Sequence, residues 1–162
     1  MTKSVIIRSY ASESEVIIEK IRQYCAYQER CTQEVERKMQ LWKVAEARRQ
    51  KILVYLKEEG YIDEERYARM FVRGKFHINK WGRVKIRHEL RSRAISETLI
   101  SKAMEEIGED DYLKTIRELT IRKMSEIKSE KHLNIREKII NFVAGKGFEF
   151  DLINKVLTEL KI

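Results

Sequence analysis

Six apolar positions recur three times along this chain with the same internal spacing. Val35, Met39, Val44, Ile52, Leu53 and Leu56 form the first set. Ile86, Leu90, Ile95, Ala103, Met104 and Ile107 form the second, and Ile139, Val143, Phe148, Val156, Leu157 and Leu160 the third. The second set lies 51 residues after the first, and the third 53 residues after the second. Apolar pairs four apart are the mark of one helix face. A period of this length belongs to stacked helical repeats. An Ile/Leu-rich helical chain shows isolated internal matches by chance, but a shared register at all six positions reads as a true repeat.

A further amphipathic stretch precedes each set, roughly over residues 13–28, 64–78 and 111–127, so each unit reads as three helices. The 162 residues include no proline and six glycines, so helix breakers are nearly absent. The expected fold is therefore all-α, an elongated tandem array of three three-helix units in which each unit touches mainly its neighbours. Residues 1–12 are expected as an N-terminal tail, 13–62 as the first unit, 63–109 as the second and 110–162 as the third. The joints carry matching punctuation. Gly60 reads as a helix stop and Asp63 as the N-cap of the next helix, with Glu64 and Glu65 in a first turn whose dipole favours acids. Gly108-Glu109-Asp110 is expected to do the same at the second joint. Ser96 reads as another N-cap, and Gly147 as a helix-to-helix turn.

The chain carries a net charge of +8, and its excess is confined to one stretch. Residues 66–93 hold ten Lys/Arg and the single acid Glu89, whereas 24 basic and 25 acidic residues lie outside. On the helix opening at Glu64, Tyr67, Met70, Phe71 and Ile78 are expected to form the apolar stripe, with Arg66, Arg69, Arg73 and Lys80 beside it. Gly74 within that helix implies either a weakened helix or a close backbone approach. The next helix is expected to begin near Trp81-Gly82. Its Ile86 and Leu90 face inward, and Arg83, Arg87 and Arg91 recur every four residues. Like charges at that spacing repel. An idle solvated face mixes its signs, as Lys128-Ser129-Glu130-Lys131 does, so the block reads as a surface that meets something anionic. Among the accompanying aromatics, Tyr67 and Phe71 read as core. Trp81, between Lys80 and Gly82 at a joint, is the candidate for exposure and for stacking on a base.

Other chemistry is not found. Cys25 and Cys31 make no disulfide framework, and with His77, His88 and His132 they show no zinc-ligand spacing. Gly145-Lys146-Gly147 lacks the upstream glycine and the Ser/Thr of a phosphate loop. The opening residues hold too short an apolar run for a signal peptide, and no stretch approaches the ~18 apolar residues of a membrane span. The expectation is a cytoplasmic, monomeric, non-enzymatic protein without metal or cofactor.

The run from Gly60 to Arg73, Gly-Tyr-Ile-Asp-Glu-Glu-Arg-Tyr-Ala-Arg-Met-Phe-Val-Arg, is followed by Trp81-Gly82-Arg83-Val84-Lys85-Ile86-Arg87-His88-Glu89-Leu90. Together they resemble the signature of the bacterial regulatory RecX family. Looser likeness extends through Cys31–Val35 with Lys38-Met39, and through Gly147-Phe148 before Leu152-Ile153. The family often has glycine in the turn after the basic helix, where this chain reads Arg93-Ala94-Ile95, and Trp42 stands near the matching turn of the first unit. The resemblance implies tandem three-helix units and a non-catalytic protein without cofactor. It also implies binding to the RecA recombinase filament, along its groove, restraining ATP hydrolysis, filament growth and strand exchange. Arg66, Arg69, Arg73, Lys80, Arg83, Lys85, Arg87 and Arg91 are the expected contacts with the filament and with the DNA it carries. The alternative is a helical module that binds nucleic acid directly through the same face.

Overall fold

The structure, a computed structural model, describes residues 3–127 and 134–162, with side chains from Glu15 onward. The mixed-sign run at 128–131 and the candidate ligand His132 lie outside it. Among the described residues every regular element is helical. The order is α1 (Lys3–Tyr27), α2 (Thr32–Leu41), α3 (Glu46–Glu58), α4 (Glu64–Arg73), a π turn (Gly74–Ile78), α5 (Arg83–Arg91), α6 (Glu97–Met104), α7 (Glu109–Ile127), α8 (Ile135–Gly145) and α9 (Phe150–Glu159). Two compact units divide the chain between Tyr67 and Ala68, inside α4.

The repeated apolar set is the core. Of its 18 members all are buried except Leu160, which is partly so. A fully buried Ile or Leu stabilises by about 1.5–3 kcal/mol relative to exposure, so these positions dominate the fold energetically. The repeat extends to the backbone. Lys43, Ala94 and Gly147, the equivalent residues between the second and third helices of each unit, all take left-handed φ values of 58°, 58° and 92°. In the first two turns the next N–H closes a Schellman-type bond, from Val44 to the Met39 carbonyl at 3.0 Å and from Ile95 to the Leu90 carbonyl at 3.2 Å. The turns thus form without glycine at Lys43 and Ala94, at some cost in backbone strain.

In the first unit α1 packs on α2 and α2 on α3. Ile21, Cys25, Val35, Met39, Val44, Ile52, Leu53, Leu56 and Ile62 form one cluster. Both cysteines are buried free thiols, and burial pushes Cys25 up to about 11, far from a reactive thiolate. Gly60 takes φ 73° and ends α3, and Asp63 accepts a hydrogen bond from the Arg66 N–H at 2.9 Å, as an N-cap does. Thr32 donates to Glu64 at 2.6 Å, tying the start of α4 to α2.

In the second compact unit, Ala68–Ile162, α5 packs on α6, and α7, α8 and α9 pack mutually. Ser96 caps α6 by accepting from the Leu99 N–H at 3.4 Å. Gly108 differs from expectation: its φ is not left-handed, and it stands where an N-cap stands, its carbonyl accepting from the Tyr112 N–H at 2.9 Å. The apolar stripe of α4 also differs. Met70 is 50 % and Ile78 81 % exposed, while Ala68, Val72 and Phe76 are buried with Tyr67. The inward face therefore runs 68–72–76. The α-helix does weaken at Gly74, which has nothing close against its missing side chain. There the chain opens into the π turn and closes on itself, Trp81 N–H donating to the Lys75 carbonyl at 3.0 Å.

Candidate partner-binding surface

The basic stretch folds into a lattice in which most arginines already hold a carboxylate. In the first compact unit, Met1–Tyr67, Arg66 donates to Glu29 at 2.6 Å and to the Gly60 carbonyl at 3.0 Å. The other seven expected contacts lie in the second unit. Arg69 and Arg73 share Glu106 at 2.8 and 2.5 Å, and together they hold its carboxyl down to about 2. Arg83 reaches Glu109 at 2.6 Å. Arg91 hydrogen-bonds Glu97, and Arg87 lies 3.9 Å from the same carboxylate, which is held below the usual range, mainly by Arg91. Arg93 pairs with Glu89 at 2.7 Å, so Glu89 too is lowered.

Glu29 apart, these acids come from α6 and the turn that follows it, the start of α7 and α5 itself. The charge of the stretch is thus partly cancelled within its own unit, and residues 63–109 as a whole hold eleven Lys/Arg against eight Asp/Glu. A balance taken over the unit, not the stretch, is the signal that points to Glu97, Glu106 and Glu109. Several of the carboxylates are well exposed, Glu109 at 73 % and Glu105 at 71 %, so they face the same solvent as the arginines they hold. Exposed ion pairs of this kind are weak in water and open to exchange.

The lysines behave differently. Lys75 and Lys85 place their ammonium groups 4.7 and 4.3 Å from the centroid of the Trp81 ring. Neither forms an ion pair among the described residues. Trp81 is half-buried. Lys80, at left-handed φ 56°, lines a shallow hollow with Thr115, Glu118, Leu119 and Arg122. Lys75, outside the expected contact set, joins this group through the π turn.

The basic helix α5 is held at its N-terminus by the third repeat. Its N-cap residue Gly82 has no side chain to cap with. The Gly82 N–H donates to the Lys146 carbonyl at 2.9 Å, and the Val84 N–H to the Gly147 carbonyl at 3.0 Å. Between them, the Arg83 N–H donates to the Tyr112 hydroxyl at 2.9 Å, which in turn donates to Glu149 at 2.5 Å. Three of the orphan donors of a helix start are thus satisfied by α7 and the α8–α9 turn. The approach requires two glycines. A Cβ on Gly82 would collide with the Gly147 carbonyl, and one on Gly147 with the Lys85 backbone. Burial first, and Glu149 second, push the Tyr112 hydroxyl far above its usual range, so it stays protonated. The Arg83 guanidinium covers the Tyr112 ring at 4.0 Å, and Phe76 and Phe148 flank it at 5.8 and 5.0 Å.

No cluster of three or more His, Cys, Asp or Glu that could hold a metal occurs among the described residues. No described helix is long and apolar enough to cross a membrane.

Comparison with known proteins places this arrangement. The family model described as the RecX second three-helix domain matches residues 63–104, and that of the RecX third three-helix domain matches residues 109–157. The regulatory protein RecX of Bacillus cytotoxicus is 28 % identical over 138 residues, 85 % of this chain and 51 % of that protein. That of Clostridium acetobutylicum is 26 % identical over 115 residues, 68 % of this chain and 53 % of that protein. The chain thus spans about half the length of these curated relatives. In fold it is similar to the crystal structure of RecX from Lactobacillus salivarius, with a TM-score of 0.82 at 22 % identity, over 93 % of this chain and 98 % of that one. A crystal structure of another regulatory protein RecX gives 0.84 at 20 % identity, over 98 % and 78 %. The repeated units, the signature around α4 and α5 and the two matching domains together mean that this chain belongs to the RecX family.

Proposed function

We propose that this chain is a cytoplasmic regulatory protein that binds the RecA recombinase filament on DNA. Bound there, it inhibits ATP hydrolysis, filament extension and strand exchange, and so modulates recombination and DNA repair. The single observation that carries the reading is the exchangeable arginine–glutamate lattice on α4, α5 and α6. Arg83, Arg87 and Arg91 are oriented by the well-exposed Glu109 and Glu97, and Arg69 and Arg73 by the more enclosed Glu106. A partner that offers its own acidic side chains can take over these arginines one pair at a time, with little net desolvation of charge. Such a surface recognises acidic protein better than it attracts anions at long range, because its own acids damp the field. The mechanism is occupancy: seated on neighbouring protomers, the helical units hold them together and block the next addition. No catalytic group is required.

The test is inhibition of RecA ATPase on single-stranded DNA by the triple variant Arg83→Glu, Arg87→Glu, Arg91→Glu. Inhibition is expected to be lost while the far-ultraviolet dichroism stays helical. Unchanged inhibition removes this face from the mechanism.

A further inference from the structure

The lysines around Trp81 form a site of different chemistry from the arginine lattice. The π turn at Gly74–Ile78 folds the chain back so that the Trp81 N–H meets the Lys75 carbonyl, which sets the Lys75 side chain beside the indole. Lys85, one turn into α5, reaches the same ring. Arg69, Arg73, Arg83, Arg87, Arg91 and Arg93 each have a carboxylate partner, whereas among the described residues Lys75 and Lys85 form no ion pair and lie over aromatic faces, Trp81 for both and Phe71 for Lys75 as well. The one acid on α5, Glu89, is committed to Arg93. The position of the indole is fixed from behind, since the following residue Gly82 is bonded to the Lys146 carbonyl and leaves no room for a Cβ.

We propose that Trp81, flanked by Lys75 and Lys85, is a stacking site for one base of a single-stranded nucleic acid, whose adjoining phosphates the two ammonium groups take up. A nucleotide offers a π face and an anion in the same repeat unit, and an aromatic platform with flanking cations matches both. A carboxylate-bearing protein offers the anion alone and finds that already served by the arginines. A duplex keeps its bases stacked and presents no free face to the ring. The proposal deepens the filament reading by giving the DNA its own contact, but its test contains no recombinase, so the two readings stand or fall separately.

The chain has two tryptophans, and Trp42→Phe leaves Trp81 as the only one. The emission of that variant is titrated with oligothymidylate at several salt concentrations. Quenching that saturates is expected. Lys75→Gln with Lys85→Gln is expected to weaken binding by roughly tenfold and to lower the log–log salt slope by about 1.4, for two phosphates released. Lys155→Gln with Lys161→Gln removes the same charge from α9 and its end, and is expected to leave affinity and slope close to the parent. Lys75→Arg with Lys85→Arg is expected to restore binding. If Trp42→Phe folds poorly, the indole N–H resonances of the unaltered chain give the same readout. Binding without a change at Trp81 overturns the proposal. So does equal quenching by tripolyphosphate or polyglutamate, which would mark a bare anion site or an acidic-protein site. An equal loss in both lysine pairs would show net charge alone at work.

Discussion

Replacing Tyr112 with Phe removes one hydroxyl and nothing else from the joint between α5 and the third repeat. The ring contacts with Phe76 and Phe148 and the Arg83 guanidinium over its face all survive. What is lost is the acceptor for the Arg83 N–H and the donor to Glu149. A hydrogen bond to a charged partner is worth about 1.5–3 kcal/mol, and a donor left unsatisfied in a buried place costs about 1–3 kcal/mol. The two overlap, because both groups lie close enough to water for partial repair, so the expected loss is about 2–4 kcal/mol. For a chain of this size each kcal/mol moves Tm by about 2–4 °C, which gives a fall of roughly 4–16 °C. Urea unfolding at pH 7 measures the first quantity and calorimetry the second. Amide exchange adds a local readout, since the Arg83 N–H should lose protection ahead of the rest of α5.

The hydroxyl also has a pH signature. Its folded-state pKa is raised, so the stability it contributes is complete below its unfolded value near 10 and is lost as pH rises above that. Wild type should therefore lose stability above pH 10 more steeply than Tyr112→Phe, and the two curves should converge. A variant within about 0.5 kcal/mol of wild type at pH 7, with an equal alkaline slope, would refute the assignment of the hydroxyl as a structural link.

Ala94→Gly relieves a left-handed alanine and should raise stability by about 0.5–1 kcal/mol in thermal unfolding, with Lys43→Gly behaving alike. Glu106→Gln should abolish an acid-dependent share of stability. That share is complete above pH 4.5 in wild type and fades as pH falls toward the folded value of about 2, and urea midpoints across that window measure it. The same variant should loosen the hold on Arg73, and so strengthen an acidic partner's grip, measured by cosedimentation with the filament.

The repeat was legible because burial is encoded at fixed spacing. Val35, Ile86 and Ile139 are all fully buried, and so are Met39, Leu90 and Val143. Caps were legible for the same local reason, Asp63 and Ser96 each serving an N–H three residues on. The stripe of α4 was misread because Ala68 is a weak apolar signal beside Met70, and because Gly74 opens the helix before Ile78 can complete the pattern. The expected contact residues were visible as a cluster of charge, but their partners were not. Glu106 lies 37 residues from Arg69 and 33 from Arg73, and no local spacing announces a pairing between helices. Tyr112 likewise looks like any core aromatic in sequence. Its hydroxyl gains meaning only when α5 begins beside it.

Gly147 makes the repeats directional. Lys43, Ala94 and Gly147 occupy one and the same turn, and in the third repeat that turn lies against the second, where the carbonyl and bare Cα of Gly147 receive the start of α5. Copying the first or second repeat into the third place would put a lysine or alanine side chain into the Lys85 backbone and leave the basic helix uncapped. Units that look interchangeable by their apolar pattern are therefore addressed: a single missing side chain specifies which of them can follow the basic one.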